Sequence, residues 1–393
     1  MTIRRSASHA RWAGRGAAVA ITAVSALVAS GCGSDSDSAD AEPRSAAVSN
    51  PIVTTYDGGV HVLDGATLKV VKDLPQDGFL RVNAAGDDRH VLVSTTSGFR
   101  VLDAVDARFT DAEFPASKPG HVVRHDDRTV LFADGTGDVT SFDPEQLGDE
   151  LPPTTVHKSE HPHHGVAVEL ADGTLVTTLG TEESRPGIVA FDKSGKEIAR
   201  NEDCAGVHGE ATAQGDAVVV GCETGALIFK DGRITKVTSP TAYGRIGNQA
   251  GSDASTITLG DYKQDKDAEL ERPQQISLID TDNSTLRLVD VGTSYTFRSL
   301  GRGPSGEALV LGTDGKLHSI DPASGQVTRS VQVVDAWQEP IEWQDPRPAL
   351  KVRGSTAYVT DPATKSLRTV DLGSFTVGQT VTLPGTPNEI ATA

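Results

Sequence analysis

The stretch TVLFADGTGDVTSFD, residues 129–143, joins two apolar segments through a turn rich in aspartate and glycine. A strand, an Asp-Gly or Thr-Gly turn, and a second strand ending in Asp are typical of a β-hairpin. No long stretch of the chain has helical periodicity. The same order recurs in seven more segments, which begin at Ile52, His90, Thr174, Ala217, Thr256, Ala308 and Thr356. Their starts lie roughly 40 to 50 residues apart, the period of a four-stranded propeller blade.

The repeats predict an all-β fold, a β-propeller. Each repeat supplies the two middle strands of a blade, followed by an outer strand and then by the inner strand of the next blade. The last segment, TPNEIATA at residues 386–393, has no repeat after it. We expect it to form the inner strand of the first blade, which closes the ring and removes free sheet edges. Eight blades are favoured, and a seven-bladed ring is the alternative if the long repeat at 256–280 is irregular.

The N-terminus indicates export. An apolar run at residues 16–32, GAAVAITAVSALVASGC, follows a basic segment and precedes an acidic, Ser-rich stretch. This order is typical of a signal peptide rather than a membrane span. The end of the run, VASGC, resembles a bacterial lipobox with Ala29 where Leu is usual, so Cys32 is the predicted site of lipid attachment. The predicted domains are a lipoprotein signal peptide at 1–31, a disordered acidic tether at 32–50 and the propeller at 51–393.

Charge limits the partners. The chain after residue 31 carries 32 Lys and Arg against 54 Asp and Glu, because the signal peptide holds four of the 36 basic residues and no acidic one. A net charge of −22 repels nucleic acid and anionic lipid and attracts cations. We therefore expect no nucleic-acid partner and contact with the membrane only through the lipid anchor. The same charge also serves solubility. We expect a monomer at the outer face of the cell membrane.

Two cysteines remain once Cys32 is used for the anchor. Cys204 and Cys222 lie 18 residues apart, and an oxidising compartment favours their pairing. We expect a disulfide between neighbouring strands, and two buried free thiols are the alternative.

The histidines are unevenly distributed. Four of the chain's 11 lie in HKSEHPHHGVAVEL, residues 157–170. When the predicted inner strands are aligned, His121, His164 and His208 occupy the same place, the entrance of the inner strand in three consecutive blades. Inner-strand entrances surround one mouth of the central channel, so these imidazoles are predicted to converge.

Convergent neutral imidazoles are suitable ligands for Zn²⁺. Pro162 favours extended geometry at His161, and strand alternation would place His161 and His163 on one face and His164 on the other. Either His164 joins His121 and His208, or His161 and His163 do, or two sites exist.

Strand alternation would place Glu210, two residues after His208, on the same face as that histidine, where it is a candidate carboxylate ligand or a hydrogen-bond acceptor for a ligating histidine. The glycines after His164 and His208 suggest that the backbone closely approaches a neighbouring group at this mouth of the channel. The competing interpretation of the cluster is an exposed chance grouping. For His125, His61, His90 and His318 a packing or surface role is favoured.

Three stretches, HPHHGVAVEL, CAGVHGEA and VGCETG, resemble those of the AztD zinc metallochaperones. Members of that family are exported β-propellers that bind zinc and pass it to the solute-binding protein of a zinc ABC transporter. The resemblance implies zinc binding by His121, His163, His164 and His208 and a disulfide between Cys204 and Cys222.

The predicted function is therefore an extracytoplasmic zinc-binding metallochaperone and not an enzyme, since no nucleophile motif is present. The alternatives are a propeller enzyme, such as a metal-dependent hydrolase or lactonase, and a metal-independent interaction scaffold.

Overall fold

The structure, a computed structural model, describes residues 47–393. The predicted signal peptide, Cys32 with its predicted lipid, and the tether up to residue 46 lie outside the described residues. Within the described range, no helix is long and apolar enough to cross a bilayer. The same range contains one short 3₁₀ helix, Pro144–Gln146, which Asp143 caps by accepting a hydrogen bond from the backbone N–H of Glu145.

The described residues form 32 strands in eight four-stranded antiparallel sheets. The strands of the first four blades are β1 (Ile52–Tyr56), β2 (Gly59–Leu63) and β3 (Val70–Pro75) in blade 1; β4 (Arg81–Ala84), β5 (His90–Ser94), β6 (Gly98–Asp103) and β7 (Arg108–Pro115) in blade 2; β8 (Pro119–His125), β9 (Arg128–Ala133), β10 (Asp138–Phe142) and β11 (Thr154–Lys158) in blade 3; and β12 (Ala167–Glu169), β13 (Leu175–Leu179), β14 (Gly187–Phe191) and β15 (Glu197–Asn201) in blade 4.

The other four blades have the same plan. Their strands are β16 (His208–Ala213), β17 (Ala217–Cys222), β18 (Gly225–Lys230) and β19 (Arg233–Thr238) in blade 5; β20 (Gln249–Ala250), β21 (Ile257–Gly260), β22 (Gln275–Asp280) and β23 (Thr285–Asp290) in blade 6; β24 (Leu300–Arg302), β25 (Ala308–Leu311), β26 (Lys316–Ile320) and β27 (Val327–Gln332) in blade 7; and β28 (Leu350–Arg353), β29 (Thr356–Asp361), β30 (Ser366–Asp371) and β31 (Thr376–Thr382) in blade 8.

The ring closes in blade 1. The last strand, β32 (Ile390–Thr392), pairs antiparallel with β1 and completes the sheet as its inner strand. The eight-bladed propeller closed by the C-terminal strand is therefore confirmed. Blade 6 carries the long loop that made seven blades the alternative, yet it keeps all four strands, with an inner strand of only two residues.

Burial explains why the middle strands are almost continuously apolar. In β5 and β17 every residue is buried, whereas the outer strand β31 is exposed at all but one position. A middle strand is covered on both faces by the adjacent blades, so its side chains pack on both sides and no polar face is needed. The core consequently lies between blades. One hydrophobic cluster joins Val123 of blade 3, Val176 of blade 4 and Val218 of blade 5. These contacts hold three neighbouring blades in a fixed relation.

Candidate metal centre

Three histidines from consecutive blades meet at one end of the inner strands. His121 lies in β8, His164 lies three residues before β12, and His208 begins β16. The centroids of the rings are 5.2 Å apart for His121 and His164, 5.4 Å for His121 and His208, and 5.0 Å for His164 and His208. One ring nitrogen from each residue lies within 4.8 Å of the other two. The predicted convergence of these imidazoles is present in the structure.

The second nitrogen of two of these rings has a fixed partner. His164 Nδ1 lies 2.5 Å from Asp134 Oδ2, and His208 Nδ1 lies 2.6 Å from the carbonyl oxygen of Gly247. Carboxylate and carbonyl oxygens only accept, so each Nδ1 carries a proton and donates it. This arrangement leaves the Nε2 lone pairs for another partner and fixes the orientation of each ring.

The two Nε2 atoms face each other. The distance between His164 Nε2 and His208 Nε2 is 3.0 Å. With both Nδ1 atoms protonated and both rings neutral, two lone pairs point at one another, which is unfavourable unless a cation or an additional proton lies between them. In a tetrahedral zinc site with Zn–N distances of about 2.0–2.1 Å, two nitrogen ligands are about 3.3 Å apart. The observed spacing therefore fits a shared divalent cation after small ring movements.

Glu210 adds a carboxylate next to His121. Its Oε2 lies 3.2 Å from His121 Nδ1, but this buried oxygen makes no hydrogen bond in the described part of the chain. A buried carboxylate oxygen that lacks a hydrogen bond is costly. A cation held by the neighbouring imidazoles would compensate that cost.

The predicted reason for the position of Glu210 is wrong. A β-bulge between His208 and Glu210 places them opposite consecutive residues of β17, Gly221 and Val220, so strand alternation does not put them on one face. Glu210 lies beside the group through His121 of blade 3.

Burial lowers the pKa of His208 well below its ordinary value, and the neighbouring rings of His121 and His164 lower it further. Arg245 acts in the same direction, while the hydrogen bond to Gly247 opposes it. A second arginine, Arg185, donates to the carbonyl oxygen of His164 over 3.3 Å. His208 is thus kept neutral, the form in which imidazole binds a metal.

The HPHH segment does not form a strand, so alternation does not govern it. His161 is largely exposed, with its nearest charged partner, Glu160, at 4.0 Å. His163 is buried and uses both nitrogens, Nδ1 at 2.8 Å from the carbonyl oxygen of His161 and Nε2 at 2.9 Å from Thr178 Oγ1. Among the described residues, the structure brings His164 to His121 and His208 and leaves His161 and His163 out of the group.

Two glycines allow the backbone to pass close to its neighbours. A Cβ atom at Gly209, whose φ is +68°, would lie 2.3 Å from the carbonyl oxygen of Gly247. A Cβ atom at Gly165 would lie 2.3 Å from the ring of Phe132. Both contacts are too short for any other residue, which explains the glycine that follows each histidine.

Cys204 and Cys222 form a disulfide, with Cα atoms 5.6 Å apart. Cys222 is the last residue of β17, the strand that pairs with β16, and Cys204 lies four residues before His208. The Lys236 ammonium donates to Cys204 Sγ at 2.9 Å and to Thr224 Oγ1 at 2.7 Å. The disulfide therefore ties the segment leading into His208 to the strand beside it.

Asp134 and Gly247 were not identified from the sequence. Asp134 lies in the hairpin turn after β9 and resembles the other turn aspartates of the repeats. Gly247 lies in the irregular segment before β20. No spacing or residue pattern distinguishes either residue from its equivalents in other blades.

The comparisons of sequence and of structure with known proteins both find AztD of Citrobacter koseri. No protein-family model matches the chain. A curated relative, zinc chaperone AztD of Citrobacter koseri, is 27% identical over 288 residues, which cover 71% of this chain and 66% of the relative. The aligned part is thus slightly less than two thirds of that protein. Its name is that of a chaperone, in agreement with the prediction that this chain is not an enzyme.

Solved structures of AztD from Citrobacter koseri superpose on the propeller. The apo structure has a TM-score of 0.74 at 23% identity and covers 87% of this chain and 96% of its own. A second crystal structure gives 0.73 at 24% identity with the same coverage. The dihydro-heme d1 dehydrogenase NirN is more distant, with a TM-score of 0.57 at 13% identity. The resemblance to the AztD proteins that the sequence predicts is therefore confirmed.

Proposed function

We propose that this protein is an extracytoplasmic zinc chaperone that binds Zn²⁺ through His121, His164 and His208. The observation that carries the proposal is the 3.0 Å distance between the Nε2 atoms of His164 and His208, with both Nδ1 atoms already bound to acceptors. Glu210 contributes the carboxylate that balances part of the charge of the ion. The name of the curated relative, zinc chaperone, supports the choice of cargo.

The geometry suits an ion that is bound and then passed on. Three protein ligands leave one coordination position open, whereas structural zinc sites are closed by four. The His164 side chain is 42% exposed. An incoming ligand can therefore reach the ion from solvent and replace the imidazoles one at a time.

We propose that the acceptor is the solute-binding protein of a zinc ABC transporter. The predicted export signal and the predicted lipidation site at Cys32 support this choice of acceptor, and the predicted tether at 32–50 would connect the propeller at 51–393 to its anchor. The strongly acidic composition favours the arrival of cations. Monomeric chaperone and acceptor would then exchange zinc at the exposed rim.

Calorimetry of the mature protein at neutral pH tests the binding site. We expect saturable Zn²⁺ binding that a His121→Ala, His164→Ala, His208→Ala triple variant loses. The matched control is His161→Ala, because His161 lies in the same histidine-rich segment but outside the group, and it should bind as the parent does. Equal binding by the parent and the triple variant, or no binding by either, would refute the site.

A transfer experiment tests the chaperone role separately. Zinc-loaded protein is mixed with the metal-free solute-binding protein, the two are separated, and the zinc in each is measured over time. Direct exchange predicts transfer faster than the release of zinc to a chelator of comparable affinity. Transfer at the chelator-limited rate would show that the protein stores zinc and does not deliver it by contact.

A further inference from the structure

A second group of potential ligands lies at the other end of the same inner strands. It consists of His125, the last residue of β8, with Asp126 beside it and Asp216 from the turn after β16. His125 Nε2 lies 3.3 Å from Asp126 Oδ2 and 3.5 Å from Asp216 Oδ1. One atom from each of the three residues lies within 4.8 Å of the others.

The histidine in this group is buried and lacks a hydrogen bond at the nitrogen that faces the carboxylates. The His125 side chain is 5% exposed, and its Nε2 makes no hydrogen bond to any described residue. Two aspartates would be an ordinary acidic surface by themselves, since their side chains are 43% and 63% exposed. A buried imidazole nitrogen aimed at them without a hydrogen bond is costly, and a cation shared by all three groups would remove that cost.

This group is separate from the three-histidine centre. His121 and His125 are four residues apart in one strand, which corresponds to about 13 Å at 3.2–3.4 Å per residue. His208 and Asp216 are related in the same way, at the start of β16 and just after its end. The two groups therefore lie at opposite mouths of the channel.

A cavity of about 490 Å³ lies beside the second group and is lined by His125, Asp126, Glu210 and Lys351, among others. Burial and the charge of Arg124 lower the pKa of Lys351 to about 8. Glu210, Asp126 and Asp253 line the same cavity, so acidic side chains accompany this lysine along the cavity wall.

We propose that His125, Asp126 and Asp216 form a second divalent-cation site at the mouth opposite the three histidines. One imidazole and two carboxylates suit a borderline transition-metal ion that keeps water in its remaining positions. The site is weaker for Zn²⁺ than the three-histidine centre, because it has fewer nitrogen ligands and two of its three side chains are exposed. The proposal is independent of the chaperone function.

The test uses the mature chain, purified in detergent, with ¹⁵N-labelled histidine. Zn²⁺ is titrated while the ring-nitrogen signals of the ten histidines that follow residue 31 are observed by NMR. We expect the signals of His164 and His208 to change first and the Nε2 signal of His125 to change at higher zinc. Filling of the first centre without any change at His125 would overturn the second site and leave the first intact. A change at His125 without any change at His164 and His208 would support the second site and overturn the three-histidine centre.

Substitution of an aspartate tests whether the carboxylates of the second group bind the ion. Asp216→Asn keeps the shape of a turn residue at φ +55° and should lower the zinc affinity reported by His125 at least about 10-fold, since loss of even an outer-shell partner costs about 10- to 100-fold. The matched control is Asp231→Asn, an exposed turn aspartate at φ +50° outside the group. An equal effect of both variants would show general attraction to acidic surface, and no effect of Asp216→Asn would remove it from the site.

Discussion

At the scale of single residues, the geometry of the three-histidine group depends on how each imidazole is oriented. His208 is held by the carbonyl oxygen of Gly247 and His164 by Asp134, and neither partner belongs to the blade whose histidine it orients. Ordering a side chain costs rotamer entropy, so rings that are fixed before zinc arrives lose less on binding. We therefore expect the orientation of these rings to contribute to the proposed zinc affinity.

Asp134 should act as a positioning residue. Asp134→Ala removes the acceptor for His164 Nδ1 and should weaken zinc binding by about 10- to 100-fold. Asp134→Asn keeps an acceptor oxygen without the charge and should lose less. Calorimetry measures both, and an unchanged affinity in the alanine variant would show that His164 needs no orienting partner. The matched control is Asp192→Asn, a partly buried turn aspartate in blade 4 that accepts a hydrogen bond from Ser194 Oγ at 2.6 Å.

Acidification should release the ion. Protons compete with zinc for imidazole nitrogens, so affinity falls as the pH falls through about 6.5, the ordinary pKa of histidine. Burial keeps the pKa of His208 well below that value, so the neutral form of His208 persists into mild acid and the loss of zinc is gradual. Metal content after dialysis at a series of pH values measures the effect. Full retention at about pH 4.5, where free imidazole is protonated, would indicate carboxylate ligands instead.

The candidate ligands could be found from the sequence because the repeat fixes a common frame. Aligned inner strands place His121, His164 and His208 together without knowledge of the distances. The choice among His161, His163 and His164 could not be made, because it depends on a loop in which Thr178 of β13 forms a hydrogen bond with the His163 ring. Partners such as Asp134 are separated from their histidine by about 30 residues and carry no local signal.

At the scale of the element, the bulge at the start of β16 is the feature that shapes the rim. Gly209 has a φ of +68° and lies against the carbonyl oxygen of Gly247, the same oxygen that accepts from His208. The bulge therefore sets both the entry of the strand and the position of the acceptor. A change here should affect folding and zinc binding together.

Gly209→Ala should lower both the stability of the protein and its zinc affinity, for two reasons. A left-handed conformation costs an alanine roughly 1–2 kcal/mol, and the added Cβ would lie 2.3 Å from the Gly247 oxygen. The matched control is Gly195→Ala, which has a φ of +80° but nothing within 4 Å of the added atom. Thermal unfolding and zinc calorimetry should show a larger loss of stability for Gly209→Ala and a loss of affinity in that variant alone. Equal behaviour of the two variants would mean that the contact with Gly247 is unimportant.

The alternation of side chains along a strand predicted the strands well where the adjacent strands are regular. It failed where the backbone departs from an ideal strand. The hairpins of the repeats correspond to β9 with β10 and to the equivalent pairs in the other blades. The bulge at Gly209 could not be predicted, because it reflects a contact with blade 6 and not a property of β16 itself. The reasoning that placed Glu210 and His208 on one face failed for that reason.

At the scale of the whole molecule, closure by β32 completes the sheet of blade 1. Ile390, Ala391 and Thr392 are buried against the ring, and all three belong to the strand paired with β1. Near the seam, the buried Glu389 accepts from Arg298 at 3.1 Å and from Arg81 at 3.2 Å. These contacts join the C-terminal segment to blades 2 and 7.

Deletion of residues 390–393 should therefore destabilise the entire ring. It removes the inner strand of blade 1 and leaves β1 as a free edge, which invites pairing with another chain. We expect a lower and broader thermal transition and association visible by size-exclusion chromatography. The control is deletion of Ala393 alone, which lies beyond β32. A truncated protein with the transition of the parent would show that the seam contributes little.

The number of blades and the manner of closure could be predicted from the sequence because eight hairpin units and one unpaired C-terminal segment admit few arrangements. The twist that brings one ring nitrogen each of His121, His164 and His208 within 4.8 Å of the others could not be predicted from the sequence. It results from packing between blades, as in the cluster that joins Val123, Val176 and Val218.

Both ends of the described chain meet in blade 1, where the backbone N–H of Ala393 donates to the carbonyl oxygen of Pro51 at 3.3 Å. In topological terms the propeller is almost circular, and its starting residue is arbitrary. A linker of a few residues could join the native ends while new ends open at the exposed turn of blade 6, residues 282–284. Such a circular permutant keeps blades 3, 4 and 5 continuous, so the order of the chain can change while His121, His164 and His208 keep their surroundings. We expect it to bind zinc as the parent does.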